Sequence, residues 1–303
     1  MHHTSLLLSL LATTVAALPG GGGGGNLHRP GRPRPQAPKA ETLCPIVFDG
    51  RPDSSLQPLD FDDWNTSPFN PDYVKGASLL WSDILKFPTV NPPARFDDPT
   101  YQQPFEVTIN DSSIFNNQRG FRRAGLQFQG DTNRNSPGSS GIKTIHFSLK
   151  WDASRPLNLS HEYLNVWHET ADYSANQFNF QAGAILGQNS LARDTWKVLN
   201  RQNRQVWSTP ILRNEWQNFA ITLDFNMNTL RVYYSRGDEP LRSVTNALTN
   251  NNAGEGQYQI GILRKPTGTS DVVNSGYHQR NLNEGLIYGS VFVEDSEGGC
   301  VSL

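Results

Sequence analysis

The sequence predicts an all-β protein, an antiparallel two-sheet β-sandwich of jelly-roll type. Short segments that alternate apolar and polar residues recur along the chain, and clusters of Gly, Pro, Asn and Asp separate them. No amphipathic pattern long enough for a twelve-residue helix interrupts these segments, which argues against alternating strands and helices. The pattern covers about 260 residues, enough for one large β domain.

Eight segments show the alternation most clearly: residues 105–110, 142–150, 162–169, 177–182, 216–225, 229–235, 258–264 and 286–294. The residues FNMN at 225–228 predict a tight hairpin turn between two of them. We expect CPIVF, at the start of the domain, to lie beside LIYGSVFVE, at its end.

The N-terminus predicts export. Residues 1–17 contain an apolar run from Leu6 to Val15 followed by Ala16 and Ala17, which is typical of a secretory signal peptide and too short to span a membrane. Residues 18–42, rich in Gly, Pro and Arg, predict a linker, and residues 43–303 the folded domain. The hexaglycine in the linker matches GxGxxG, but it follows no strand and predicts no phosphate site.

Composition and spacing exclude several classes of partner. The net charge of -2 gives no support for nucleic-acid binding. His161 and His168 are seven residues apart on a predicted strand and cannot form a helical H-E-x-x-H zinc site. We therefore expect no metal and no nucleic-acid partner. We also expect no membrane partner and a monomer.

Two cysteines and three glycosylation sequons agree with an extracellular location. Cys44 and Cys300 stand at opposite ends of the domain, and in an exported chain a disulfide is expected before free thiols or metal ligands. The sequons begin at Asn65, Asn110 and Asn158.

Carboxylate chemistry is the main catalytic possibility, because no G-x-S-x-G nucleophile elbow is present. Hydrolysis of a glycosidic bond needs two carboxyl groups about 5 to 9.5 Å apart. Glu162 begins the segment 162–169, where an ideal strand places it on the same face as His168 and puts Trp167 and Glu169 on the other face. Tryptophan is a suitable platform for a sugar ring.

Several segments together resemble glycoside hydrolase family 131, a family of secreted fungal β-glucanases. CPIVFDGR, GFRRAGLQF, RPLNLSHEYLNVWHE, GQYQIGILRKP and EGLIYGSVFVE occur in the order found in that family's catalytic domain, over residues 44–295. The resemblance implies a jelly-roll hydrolase that acts on β-1,3, β-1,4 and cellulose-related glucans without a cofactor.

The resemblance also assigns site residues, and one of them is missing. One family glutamate falls on Glu162, but the other falls on Gly125, and a family histidine falls on Asn274. The substrate-binding residues that follow from the resemblance and the strand pattern are Arg122, Arg123, Gln127, Trp167, Asn274 and His278.

Gly125 leaves three possibilities open. Another carboxylate, among Glu169, Asp172 and Glu106, could replace the missing glutamate, or Glu162 could work with bound water and His168. Alternatively the chain is a catalytically impaired β-glucan-binding protein on the hydrolase fold. A polysaccharide lyase is a further alternative, but no specific Tyr/His pair supports it.

Overall fold

The computed structural model describes residues 40–303 and confirms the antiparallel two-sheet sandwich of jelly-roll type. The predicted signal peptide, residues 1–17, and residues 18–39 of the predicted linker lie outside the described residues. The described residues contain fifteen strands: β1 (Ile46–Asp49), β2 (Leu85–Lys86), β3 (Phe105–Asn110), β4 (Arg122–Leu126), β5 (Ile142–Trp151), β6 (Glu162–Glu169), β7 (Asn176–Gly183), β8 (Thr195–Asn200), β9 (Gln205–Pro210), β10 (Gln217–Asp224), β11 (Thr229–Arg236), β12 (Arg242–Ser243), β13 (Leu248–Thr249), β14 (Gln257–Arg264) and β15 (Asn283–Asp295).

The strands form one larger and one smaller sheet. Nine strands form the larger sheet, in the order β12-β11-β10-β5-β15-β3-β2, with β1 paired to β15 and β13 paired to β11. Six strands form the smaller sheet, in the order β4-β14-β6-β7-β8-β9. All eight predicted segments are strands, and β10 and β11 form the predicted hairpin. The short or weakly alternating strands β2, β8, β9, β12 and β13 were not predicted.

Helical structure in the described part of the chain is limited to a short α1 (Trp81–Ile84) and the 3₁₀ turns Pro58–Asp62, Pro137–Ser139 and Glu297–Gly299. Within residues 40–303, no helix has the length and apolar character required to span a bilayer.

Aromatic rings from both sheets fill the core. Phe147 of the larger sheet contacts Phe180 of the smaller sheet with ring centroids 4.9 Å apart, and Phe219 packs at 4.7 Å from Phe180. All three side chains are buried. The alternation of the strands therefore points one face of each sheet into a shared apolar layer.

The two ends of the domain meet as predicted. β1 pairs antiparallel with β15, and Cys44 forms a disulfide with Cys300, 256 residues away in the sequence. Next to this bond, Ser302 donates from Oγ to Glu294 Oε2 at 2.7 Å. The C-terminal segment is therefore tied to the larger sheet by both covalent and hydrogen bonds.

Bulges in β6 and β14 change which side chains face outward. Between Leu164 and Val166, β6 has one residue, Asn165, without a partner position on β7. The pairing of β14 with β6 is irregular at the same level, between Ile260 and Leu263. An extra residue reverses the inside–outside alternation of everything that follows it.

Because of the bulge, the side chains on the outward face of β6 differ from those predicted. Glu162 and Leu164 share the outward face with Trp167 and Glu169, because all four line the cavities on that side of the sheet. His168 points into the core instead. The prediction that Glu162 and His168 share a face was wrong, since it assumed an ideal strand.

Two facing glycines provide a test of the bulge. Gly261 has φ +146°, and a Cβ built on it would lie 2.2 Å from the carbonyl oxygen of Ala124. We expect Gly261→Ala to lower the free energy of unfolding by about 1 to 3 kcal/mol, measured by urea denaturation. Gly125, its partner across the strands, is the matched control, since its φ is not left-handed and its nearest obstacle is the end of the Gln259 side chain.

Gly125→Ala should change stability by less than about 1 kcal/mol. Equal losses in the two variants would contradict the assignment of Gly261 as the residue that permits the bulge.

Candidate active site

The outward face of the smaller sheet carries a groove with two adjoining halves. One half, about 440 Å³, is lined mainly by β6, β7 and the loop after β7. The other half, about 570 Å³, is lined by β4, β6, β14 and the segments 72–74 and 115–121. Leu164, Glu169, Tyr173, Asn176 and Lys265 line both halves.

Glu162 lines only the first half, and hydrogen-bond donors surround its carboxylate. Its Oε1 accepts from Lys265 Nζ at 2.6 Å and from Gln181 Nε2 at 3.1 Å, and its Oε2 accepts from the backbone N–H of Leu186 at 2.7 Å. All three partners donate, so the carboxyl group only accepts hydrogen bonds, as an ionised carboxylate does. Its side chain is 3% exposed, and this donor set therefore fixes its orientation.

A second lysine lies close to Glu162. Lys197 is buried and donates from Nζ to the carbonyl oxygens of Thr195 at 2.9 Å and Gly183 at 3.3 Å. Burial lowers the pKa of Lys197 to about 8, against the attraction of Asp194 and Glu162. Glu162 therefore interacts with two lysines, Lys265 in the groove and the buried Lys197.

Glu169 occupies the opposite end of the outward face of β6. Its Oε2 accepts from Gln259 Nε2, and Gln259 Oε1 in turn accepts from Arg123 Nη2 at 3.2 Å. Burial raises the pKa of the Glu169 carboxyl, while the positive charge of Arg123 and the bond from Gln259 oppose the rise. The two groove glutamates thus have different environments.

Glu162 and Glu169 are too far apart to act on one bond. With a rise of about 3.3 Å per residue and one bulged residue, their Cα atoms lie about 20 Å apart along β6. Glycosidase pairs need about 5 to 9.5 Å between carboxyl groups. Glu169 therefore lines the same groove as Glu162 without forming a catalytic pair with it.

Gly125 lies on the same face of β4 as Arg123, next to Trp167, whose side chain lines the groove. A Cβ built on Gly125 would lie 3.2 Å from Gln259 Oε1 and 3.8 Å from Trp167 Cη2. Its φ is outside the left-handed region, so a side chain is compatible with the backbone. The position that the resemblance gives to the second glutamate therefore adjoins Trp167 of the groove, but it carries no side chain.

The predicted binding residues divide into two groups. Arg123 and Trp167 line the groove, although Trp167 is only 2% exposed and packs with Leu164 and other apolar side chains. Gln127 donates to Gln257 beside the groove. Arg122 donates to backbone carbonyl oxygens and does not line either half.

The other candidate partners for Glu162 lie elsewhere. His168 is buried against Tyr258, and burial lowers its pKa to about 4. Asp172 caps an exposed turn, where hydrogen bonds from the Thr170 and Ser174 side chains lower its pKa to about 2. Glu106 belongs to the larger sheet, where Arg155 binds it at 2.6 Å.

Asn274 and His278 lie outside both halves of the groove. Asn274 donates from Nδ2 to Asp271, at 3.0 Å and 3.1 Å. His278 stacks on His161 with ring centroids 5.5 Å apart and donates from Nε2 to the carbonyl oxygen of Gly120 at 2.8 Å. Burial lowers the pKa of His278 to about 4.

Two remaining expectations from the sequence concern glycosylation at the sequons and the absence of a metal site. The side chains of Asn65 and Asn158 are exposed, and Asn110 is half-buried at the end of β3, so glycosylation at the three sequons stays a prediction. Among residues 40–303, no group of three or more His, Cys, Asp or Glu side chains has an arrangement suited to a metal ion.

Sequence reasoning missed two groove residues, Lys265 and Tyr173, and one buried residue that contacts a groove glutamate, Gln259. Lys265 follows β14 and Gln259 lies within it, and their contacts with Glu162 and Glu169 depend on the registers of β14 and β6. Tyr173 lies in the turn after β6. The turn residues around Tyr173 were visible in the sequence, but nothing there indicated that the turn reaches the groove.

Comparison with known proteins identifies the family. A family model described as the glycoside hydrolase 131 catalytic N-terminal domain matches residues 46–299. The chain belongs to glycoside hydrolase family 131. No curated protein sequence matches it significantly.

Two solved family 131 structures share its fold. The catalytic domain from Coprinopsis cinerea is 22% identical, with a TM-score of 0.65 over 84% of this chain and 95% of that one. A β-glucanase catalytic domain from Podospora anserina is 20% identical, with a TM-score of 0.66 over 85% of this chain and 97% of that one. Family membership supports glycoside hydrolase function, and at these identities the structural likeness supports the fold alone.

The buried Lys197 predicts a specific pH dependence of stability. Above pH 8 the folded protein releases the Lys197 proton, while the unfolded chain keeps it until about pH 10.5. The unfolded state then binds more protons, so this residue makes the wild type more stable as the pH rises from 8 to 10.5. The stability advantage of Lys197→Met over wild type should therefore shrink across that window in urea denaturation. A difference that stays constant from pH 7 to pH 10.5 would contradict the burial of a charged Lys197.

Proposed function

We propose that this chain is a secreted β-glucan hydrolase of low turnover, which binds its substrate along the groove and uses Glu162 as its catalytic carboxylate. The observation that carries the proposal is the anionic Glu162, oriented by Lys265, Gln181 and Leu186 in an open groove of a family 131 domain. Export is supported by the leader-like N-terminus, the three sequons and the disulfide.

The groove suits an extended neutral glucan. It follows β6 for about 20 Å, judged from the strand rise, and its two halves adjoin. Its lining combines amides, such as Gln181 and Asn176, with aromatic and aliphatic side chains, a mixture that matches the hydroxyl edges and apolar faces of sugars. The Podospora anserina neighbour is a β-glucanase by its description, and we extend that substrate class, with β-1,3 and β-1,4 linkages, to this chain.

Glu162 acts as a general base in this proposal. The carboxylate accepts a proton from a water molecule that attacks the anomeric carbon, while the leaving oxygen takes its proton from solvent. A second carboxyl group would normally donate that proton, and Gly125 provides none. The loss of general acid assistance is the reason for the proposed low turnover.

A second candidate is a β-glucan-binding protein without hydrolytic activity. Gly125 favours it, because the side chain at this position is missing and Glu169 lies too far from Glu162 to compensate. The two candidates share the groove and the ligand, and they differ only in whether Glu162 supports measurable cleavage.

Substitution of Gly125 provides the decisive test. The backbone at this position is compatible with a side chain, which needs a small movement of the end of the Gln259 side chain. We expect Gly125→Glu to raise kcat by about 10² to 10⁴, because it restores a proton donor. Gly125→Gln has the same shape without the proton and should leave kcat near the wild-type value. The measurement is reducing-sugar release from β-1,3, β-1,4 and mixed-linkage glucans.

Glu162→Gln completes the series. It should abolish release both in the wild type and in Gly125→Glu, while retention on insoluble glucan persists. An unchanged rate in Glu162→Gln would eliminate Glu162 as the base. No release from the wild type or from Gly125→Glu, with retention on glucan, would favour the binding protein.

A further inference from the structure

Tyr173 is the most exposed of the aromatic side chains that line the groove. It lines both halves at the place where they adjoin, and it is 60% exposed. Trp167, which the sequence suggested as a sugar platform, is 2% exposed and belongs to the floor. A buried ring offers a ligand little more than an edge, whereas Tyr173 offers a face.

The turn that carries Tyr173 holds it in an unusual backbone conformation. Its φ is +59°, in the left-handed region that bulky residues seldom adopt. Thr170 accepts from the Tyr173 N–H and donates its own N–H to the carbonyl oxygen of Ala175, both at 2.9 Å. Asp172 closes the same turn by accepting from the N–H of Ser174 at 3.1 Å. A bulky residue that is held in the left-handed region by several hydrogen bonds of its turn is typical of a site where function requires the position of that residue.

A hydrogen bond from another loop fixes the end of the ring. Asn133 donates from Nδ2 to the hydroxyl oxygen of Tyr173. Asn133 follows β4, so this contact ties the turn after β6 to the loop on the other side of β14. The turn fixes the backbone of Tyr173, and Asn133 fixes its hydroxyl. Ligand binding therefore does not need to order this side chain.

We propose that Tyr173 is a sugar-binding subsite that stacks on the apolar face of a β-linked pyranose and joins the two halves of the groove. In a β-linked glucose the ring substituents are equatorial, which leaves two flat C–H faces for an aromatic ring. The glucan would then contact Glu162 in one half and reach the Arg123 side chain in the other. The inference rests on the proposed function, since it takes a β-glucan as the ligand.

Binding measurements in a Glu162→Gln background test this subsite without cleavage. We expect Tyr173→Ala to weaken the binding of cellohexaose or laminarihexaose about tenfold by calorimetry, because it removes the stacking surface. Tyr173→Trp should retain most of the affinity. Tyr277→Ala is the matched control, because Tyr277 is 64% exposed and lines neither half of the groove, and it should bind like the parent.

Nitration with tetranitromethane gives a second measurement. The bound oligosaccharide should protect Tyr173, identified by peptide mass, and leave Tyr277 reactive. Unchanged affinity in Tyr173→Ala, together with equal nitration of Tyr173 with and without sugar, would overturn the subsite while leaving β-glucan hydrolysis intact. If the Glu162→Gln protein bound no β-glucan at all, both the subsite and the proposed function would be overturned.

Discussion

The opposed bulges in β6 and β14 are the constraint on which the groove depends. The hydroxyl of Tyr288, in the larger sheet, donates to the carbonyl oxygens of Gly261 at 2.6 Å and Asn165 at 3.3 Å, so the core holds both bulges in place. Without the extra residue in β6, Trp167 and Glu169 would point inward and His168 would point outward. The packing between the sheets therefore decides which charges face the ligand.

The resulting groove has two electrostatically different ends. At one end, Lys265 neutralises the carboxylate of Glu162. At the other, Gln259 links Glu169 to the buried guanidinium of Arg123, and burial raises the pKa of Glu169. A buried arginine needs a negative partner, and Glu169 supplies it, since position 125 carries no carboxylate. This role accounts for the charge of Glu169 without making it a catalyst.

The sequence predicted the fold well because alternation and turn residues are local properties. It predicted the sandwich, the β10–β11 hairpin, the pairing of β1 with β15 and the Cys44–Cys300 bond. It did not predict on which face of the sheet the side chains of Trp167, Glu169 and His168 lie, because a bulge depends on tertiary contacts such as those of Tyr288. The sequence also did not indicate Lys265 and Tyr173 as groove residues, because strand register and the path of a turn bring them to the groove.

The central claim is that one β-glucan chain lies along β6, with a glycosidic bond beside Glu162 and a sugar ring against Tyr173. A crystal structure of the Glu162→Gln protein with a bound β-gluco-oligosaccharide tests it most directly. The account predicts continuous sugar density through both halves of the groove, with one pyranose stacked on Tyr173 and a glycosidic oxygen near residue 162. Sugar bound elsewhere on the domain, with an empty groove, would contradict it.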